Sequence, residues 1–249
     1  MEVNFETFEL ENRICKVYRG VGNGHDISRV IVQAVDKEWL VRAGAQGEAA
    51  VGTVQADTLG AEAESILQAW SNDIIFANFA VEHWNDELSP WSADAVFKNQ
   101  PFAGEAESTL RFIKDAFIPE LRVRYGLQPD VKIIIGGYSL AGLFALWASY
   151  MTDIFHAVAA VSPSVWFPGW IDFASQKQSR AKWVYLSLGD REEKTNNQVM
   201  ARVGENIRRQ KEIFDAQGTE SVLEWNEGNH FRDVEKRVAR GMLRAAAKN

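Results

Sequence analysis

The chain has one cysteine, Cys15, so no internal disulfide can staple it, and a reducing compartment is compatible with it. It has no basic excess. Lys and Arg number 27 against 34 Asp and Glu, for a net charge of −7, and the pI is near 5.3. That balance argues against nucleic acid or an anionic membrane surface as a partner. No stretch approaches the roughly 20 apolar residues needed to cross a bilayer. The opening Met1-Glu-Val-Asn-Phe-Glu-Thr-Phe-Glu9 is acidic and lacks the apolar run of a signal peptide, so a cytoplasmic protein is expected.

Several motifs are also missing. The glycine cluster from Gly20 to Asp26 lacks the third glycine of G-x-G-x-x-G and any Gly-Lys-Ser/Thr, and a strand follows it. It reads as a hairpin turn with a solvated His25, not as a phosphate loop. His83 stands among Glu82, Asp86 and Glu87, but no H-x-x-x-H or Cys–His spacing accompanies it, so a polar loop is expected there and no metal. The basic run Arg208 to Lys211 falls on a helix near several acids and reads as a solvated face. Nothing calls for a cofactor, and no linker, repeat or low-complexity tract divides the chain.

What is present is an ordinary globular composition, 46% hydrophobic and 24% charged over 249 residues, enough for one α/β domain spanning 1–249. Strand and helix patterns alternate. Strands are expected within Phe5–Arg19 (one or two), at Arg29–Val35, Asp73–Phe79, Ile133–Ile135, His156–Val161, Trp183–Leu188 and Val222–Trp225. Helices are expected at Leu59–Trp70, Gly104–Tyr125, from Leu140 to about Ala148, at Asn197–Gln217 and Val234–Lys248, with Ala43–Val54 and Glu82–Trp91 as loops. Regular alternation predicts a mostly parallel central sheet with helices on both faces.

The chain is organised around Lys132-Ile-Ile-Ile-Gly-Gly-Tyr-Ser-Leu-Ala-Gly142. Three branched residues form a buried strand, two glycines stop it, and an apolar helix opens at Leu140. A serine on the sharp turn between strand and helix is the layout of a nucleophile elbow, with strand and helix packed close enough that Gly137 and Ala141 must be small. The alternative is a serine that merely caps the helix. A serine nucleophile needs a base, and four histidines are available. His25 lies in the turn, His83 precedes the serine, and His156 begins a strand. His230 follows the last strand, where functional groups gather in doubly wound sheets. An acid must orient that histidine. Asp190, Glu192 and Glu193, after the strand ending at Leu188, all have the chain order Ser, acid, His, and spacing does not separate them. One oxyanion donor is the Leu140 N–H. For the second, Lys37 is the first choice and the loop Val81–His83 the alternative.

With these residues in hand the chain resembles the esterase branch of the α/β-hydrolases that includes enterochelin esterases, esterase D and some feruloyl esterases. The matching pieces are Gly137-Tyr-Ser-Leu-Ala-Gly142, Gly189-Asp-Arg-Glu192 and Gly228-Asn-His230. The resemblance spans Ile74 to the C-terminus and is loose before Gln55. It implies a serine hydrolase that cleaves small carboxylic esters through an acyl-enzyme. It also selects Glu192, since the family's acid commonly falls three residues after a strand-ending glycine. Lys37 follows Asp36 where the family often has glycine. No arginine cluster marks the site loops, so a trianionic ferric siderophore is not supported. By the same resemblance Trp84, Trp91, Tyr138 and Trp166 would line an apolar pocket. An acyltransferase or peptidase would use the same machinery, and a non-catalytic binding protein could keep the fold.

Overall fold

The computed structural model describes residues 3–20, 27–42, 58–70, 73–97 and 99–248. The turn with His25, and the loop at 43–54, lie outside them. Eight strands form one sheet in the order β1-β2-β4-β3-β5-β6-β7-β8. They are β1 Val3–Leu10, β2 Arg13–Gly20, β3 Arg29–Asp36, β4 Ile74–Val81, β5 Lys132–Tyr138, β6 Ala157–Val161, β7 Trp183–Gly189 and β8 Glu220–Asn226. Only β1 and β2 run antiparallel to their neighbours. From β4 to β8 every pairing is parallel.

The central strands are apolar without alternation because both faces are covered. On one face Ile31, Ile134, Ala159 and Tyr185 pack against α2 (Thr58–Trp70) and α9 (Val234–Ala246). On the other, Val32, Ile135, Val158 and Leu186 pack against the long helical segment after residue 105, α6 (Leu140–Met151) and α8 (Val203–Gln217). Short helices α1 (Lys37–Arg42) and α3 (Trp84–Leu88) follow β3 and β4 directly, and α7 spans Trp170–Gln176. The single helix expected at Gly104–Tyr125 is instead α4 (Ala106–Phe112), a π turn (Ile113–Phe117) and α5 (Ile118–Tyr125). Pro119 has no N–H and its ring crowds the carbonyl one turn back. The widened turn absorbs that conflict.

The strand order fixes where a site can form. The chain lays β4 on one side of β3, then crosses to place β5 on the other. Loops leaving the carboxyl ends of β3 and β5 therefore diverge and open a crevice, the position where doubly wound sheets bind ligands.

Candidate active site

Ser139 stands at that crevice, between β5 and α6. Its backbone is at φ 59°, ψ −121°, a conformation that strains a residue with a Cβ. Hydrogen bonds on both sides hold it: its N–H donates to Val161 O (3.1 Å) and its C=O accepts from Ser164 (3.0 Å) and Leu143 (3.1 Å). The tightness is visible at Gly137, where a Cβ would lie 2.6 Å from the Ala141 carbonyl carbon. No side chain fits there. Although Ser139 precedes the helix, its hydroxyl makes no capping bond. It lies instead 3.1 Å from His230 Nε2 and 3.4 Å from Ser164 Oγ.

His230 follows β8, in a turn where Gly228 takes φ 109°. Its Nδ1 is 2.6 Å from Glu192 Oε2. The three carboxylates after β7, inseparable by spacing, have three different surroundings. Only Glu192 meets the imidazole. Asp190 accepts the Gly228 N–H at 2.8 Å and so braces the histidine turn. Glu193 pairs with Arg208 at 3.3 Å on the surface. His156 is at the amino end of β6, the far side of the sheet.

The seat of Glu192 is built largely by residues the motifs do not mark. Its Oε1 accepts from the Gly189 N–H (2.7 Å), the Ser162 hydroxyl (2.7 Å) and Arg237 Nη2 (2.5 Å). Arg237 is 4% exposed; it also donates to Ser162 Oγ and to the carbonyls of Asn229 (3.1 Å) and Arg232. Burial would raise the Glu192 carboxyl, but hydrogen bonds and charge from His230, Arg237 and Ser162 outweigh it and bring it down to about 2. Arg237 had one signal in sequence: it falls on the stripe of α9 formed by Val234, Val238, Gly241, Met242 and Ala245, where an apolar residue is expected.

The sequence offers two backbone donors for a developing oxyanion. Leu140 is the first residue of α6 and Lys37 the first of α1, positions whose N–H groups have no partner within the helix. Lys37 follows β3, the neighbour of β5, and its ammonium is turned to Glu82 at 3.0 Å. In the alternative loop the N–H groups of Glu82 and His83 both donate to Glu87 Oε1 at 2.7 Å, and Arg13 holds that carboxylate at 2.6 Å. Those two donors are spent.

Of the four aromatic residues expected at the pocket, Trp84 and Tyr138 line a cleft of about 530 Å³ that opens on Ser139, together with Trp39. Trp166 lines a second cleft of about 370 Å³ on the other side of His230. Trp91 lines neither of these clefts. It packs against Phe167 and Phe173 and donates its indole N–H to Pro168 O at 3.0 Å, so its bulk fills a corner of the core. Tyr138 donates its hydroxyl to the His230 carbonyl and lays its ring 4.9 Å from the imidazole. A larger hollow of about 620 Å³ between residues 166–172 and α8 contains no serine, cysteine or histidine.

The comparisons with known proteins agree with this architecture. A family model described as "Putative esterase" matches residues 76–233, more than half of the chain. No curated protein matches by sequence. Among solved structures, the siderophore hydrolase EstB from Aspergillus nidulans superposes with a TM-score of 0.69 at 17% identity, covering 96% of this chain and 93% of its own. An IroE-like serine hydrolase from Shewanella oneidensis gives 0.73 at 15% identity, with 97% and 79% covered. The enterobactin esterase FES from Shigella flexneri gives 0.63 at 14% identity, and 98% of this chain matches 58% of that one. At such identities the likeness is one of fold.

Proposed function

The chain belongs to the family described as "Putative esterase" and is a carboxylic ester hydrolase; from that premise we propose that Ser139, His230 and Glu192 cleave the ester through an acyl-enzyme. Ser139 Oγ attacks the carbonyl carbon while His230 Nε2 takes its proton, since serine is a poor nucleophile without a base. The carbonyl oxygen, now an anion, is held by the Leu140 and Lys37 N–H groups. His230 returns the proton to the leaving alcohol oxygen as the tetrahedral adduct collapses. Water, deprotonated by the same nitrogen, then attacks the acyl-serine and releases the acid. Glu192 holds Nδ1–H, which fixes the tautomer and balances the imidazolium.

The observation that carries this reading is the unbroken path from Ser139 Oγ through both ring nitrogens of His230 to Glu192, with steps of 3.1 and 2.6 Å. Trp84 and Tyr138 would contact the half of the ester in the Ser139 cleft, and Trp166 the half beyond His230. A fluorophosphonate probe is expected to label the wild type and spare Ser139→Ala, with short nitrophenyl esters hydrolysed by the wild type alone. Equal labelling of both proteins removes Ser139 from its role.

A further inference from the structure

Away from the serine, the 530 Å³ cleft is walled by β3, α2 and α9, and two of the residues lining it there are polar, Gln33 and Glu62. They are 6% and 5% exposed, and both interrupt apolar patterns. Gln33 shares a sheet face with Ile31, and Glu62 sits on the α2 stripe of Leu59, Ala63, Ile66 and Leu67. Gln33 Nε2 donates to Glu62 Oε2 at 3.3 Å. Gln33 Oε1 has no partner among the described residues, and no cation pairs with Glu62 among the described ion pairs.

A buried acceptor without a donor is costly, and native proteins seldom keep one without a use for it. We infer that the part of the Ser139 cleft walled by Gln33 and Glu62 is a subsite for a hydrogen-bond-donating group of the ester, a hydroxyl or an ammonium. The inference rests on the esterase reading and narrows its substrate class. The charges around the subsite agree with it: Asp36 and Glu235 also line the cleft, and no Lys or Arg does among the described residues. Burial pushes the Glu62 carboxyl up to about 8, with Glu235 adding to the rise. A donor reaching Gln33 Oε1 gives the orphan its partner, and an ammonium is also drawn by Asp36 and Glu235. A methyl group leaves the orphan unmet, and an anionic chain meets the carboxylates of Asp36 and Glu235.

The test uses nitrophenyl esters with matched unbranched chains ending in methyl, hydroxyl, ammonium or carboxylate, the terminus being on the acyl side in one set and the alcohol side in another. In one set kcat/KM for the hydroxyl or the ammonium ester is expected to exceed the methyl ester by about tenfold or more, the effect of meeting a buried polar group. Which of the two gains more identifies the donor. The carboxylate ester should be the poorest. Gln33→Leu and Glu62→Leu should each bring the donor-to-methyl ratio close to one. A wild type that hydrolyses the methyl or carboxylate ester as well as both donors, in both sets, overturns the subsite while leaving the esterase reading intact. Failure to hydrolyse any ester would instead count against the esterase reading itself.

Discussion

Glu192 and Glu62 are 8% and 5% exposed, yet the first is lowered to about 2 and the second raised to about 8. Burial acts on both in the same direction, against the charged form. The difference lies in the partners. Glu192 meets a guanidinium, a hydroxyl, a backbone N–H and an imidazole, whereas Glu62 meets one neutral amide and the repulsion of Glu235. A buried carboxylate is therefore kept ionised by donors aimed at it, and a site can hold one charged carboxylate and one neutral carboxylic acid. The first suits an imidazole that must become cationic. The second suits a wall that a substrate completes.

The comparison breaks most sharply at Glu192 itself. Glu192→Gln is expected to lower kcat on the order of 10³-fold or more, because the amide no longer balances the imidazolium and can stabilise the wrong tautomer. Asp190→Asn, at a carboxylate that accepts the Gly228 N–H and not the imidazole, should lose far less. Steady-state kinetics on one nitrophenyl ester ranks the two, and the reverse order would give the acid's role to Asp190.

Next in size is the guanidinium. Arg237→Met leaves Glu192 with one ionic partner fewer in a closed site, and breaking a buried pair in this way typically costs about 3–5 kcal/mol of stability. The Glu192 carboxyl should rise, so the acid limb of the stability profile, where that carboxyl takes up its proton, should move to higher pH. Arg237→Lys, keeping the charge but not the planar fork, should restore the limb in part. A packing role alone would lower the melting temperature without moving that limb.

These two residues also mark how far the sequence reaches. The elbow was legible because sterics leave so few choices: Gly137 and Ala141 face each other too closely for anything larger. His230 followed from its place after the last strand. Glu192 did not follow from spacing, since Asp190, Glu192 and Glu193 share one turn, and only family resemblance preferred it. The turn's path decides which carboxyl points at the imidazole, and that depends on contacts from α9 and the β8 loop, which are distant in sequence. Arg237, Glu62 and Gln33 were legible only as polar residues in apolar stripes, a conflict that gives a location but no partner. Trp91 misled because a tryptophan in a site loop can equally fill the core.

The opposite shifts of the two acids predict opposite slopes of stability against pH. Glu192 has a folded value below the ordinary 4.5, so its contribution is complete above 4.5 and is lost as pH falls toward about 2. Glu62 has a folded value above it. Its contribution is complete below 4.5 and is lost as pH rises through about 8. Urea unfolding across that range should show Glu192→Gln without the rise between 2 and 4.5. It should show Glu62→Gln without the fall between 4.5 and 8, each change being on the order of a few kcal/mol. Unaltered slopes in both variants would mean that neither seat perturbs its acid.

The smallest effect belongs to the third carboxylate of the same turn. Glu193 carries the same charge one residue from Glu192, but its ion pair with Arg208 is about half exposed on the arginine side. Water already solvates both ends, and such pairs contribute about 0–1 kcal/mol. Glu193→Gln should therefore leave kcat/KM unchanged and shift the unfolding midpoint little, with the residual effect shrinking as salt is added. A loss of activity near that of Glu192→Gln would mean that proximity to the turn, and not the set of donors around Glu192, governs the site. That result would undo the contrast between the two buried acids, because the turn would then carry function through its charge as a whole.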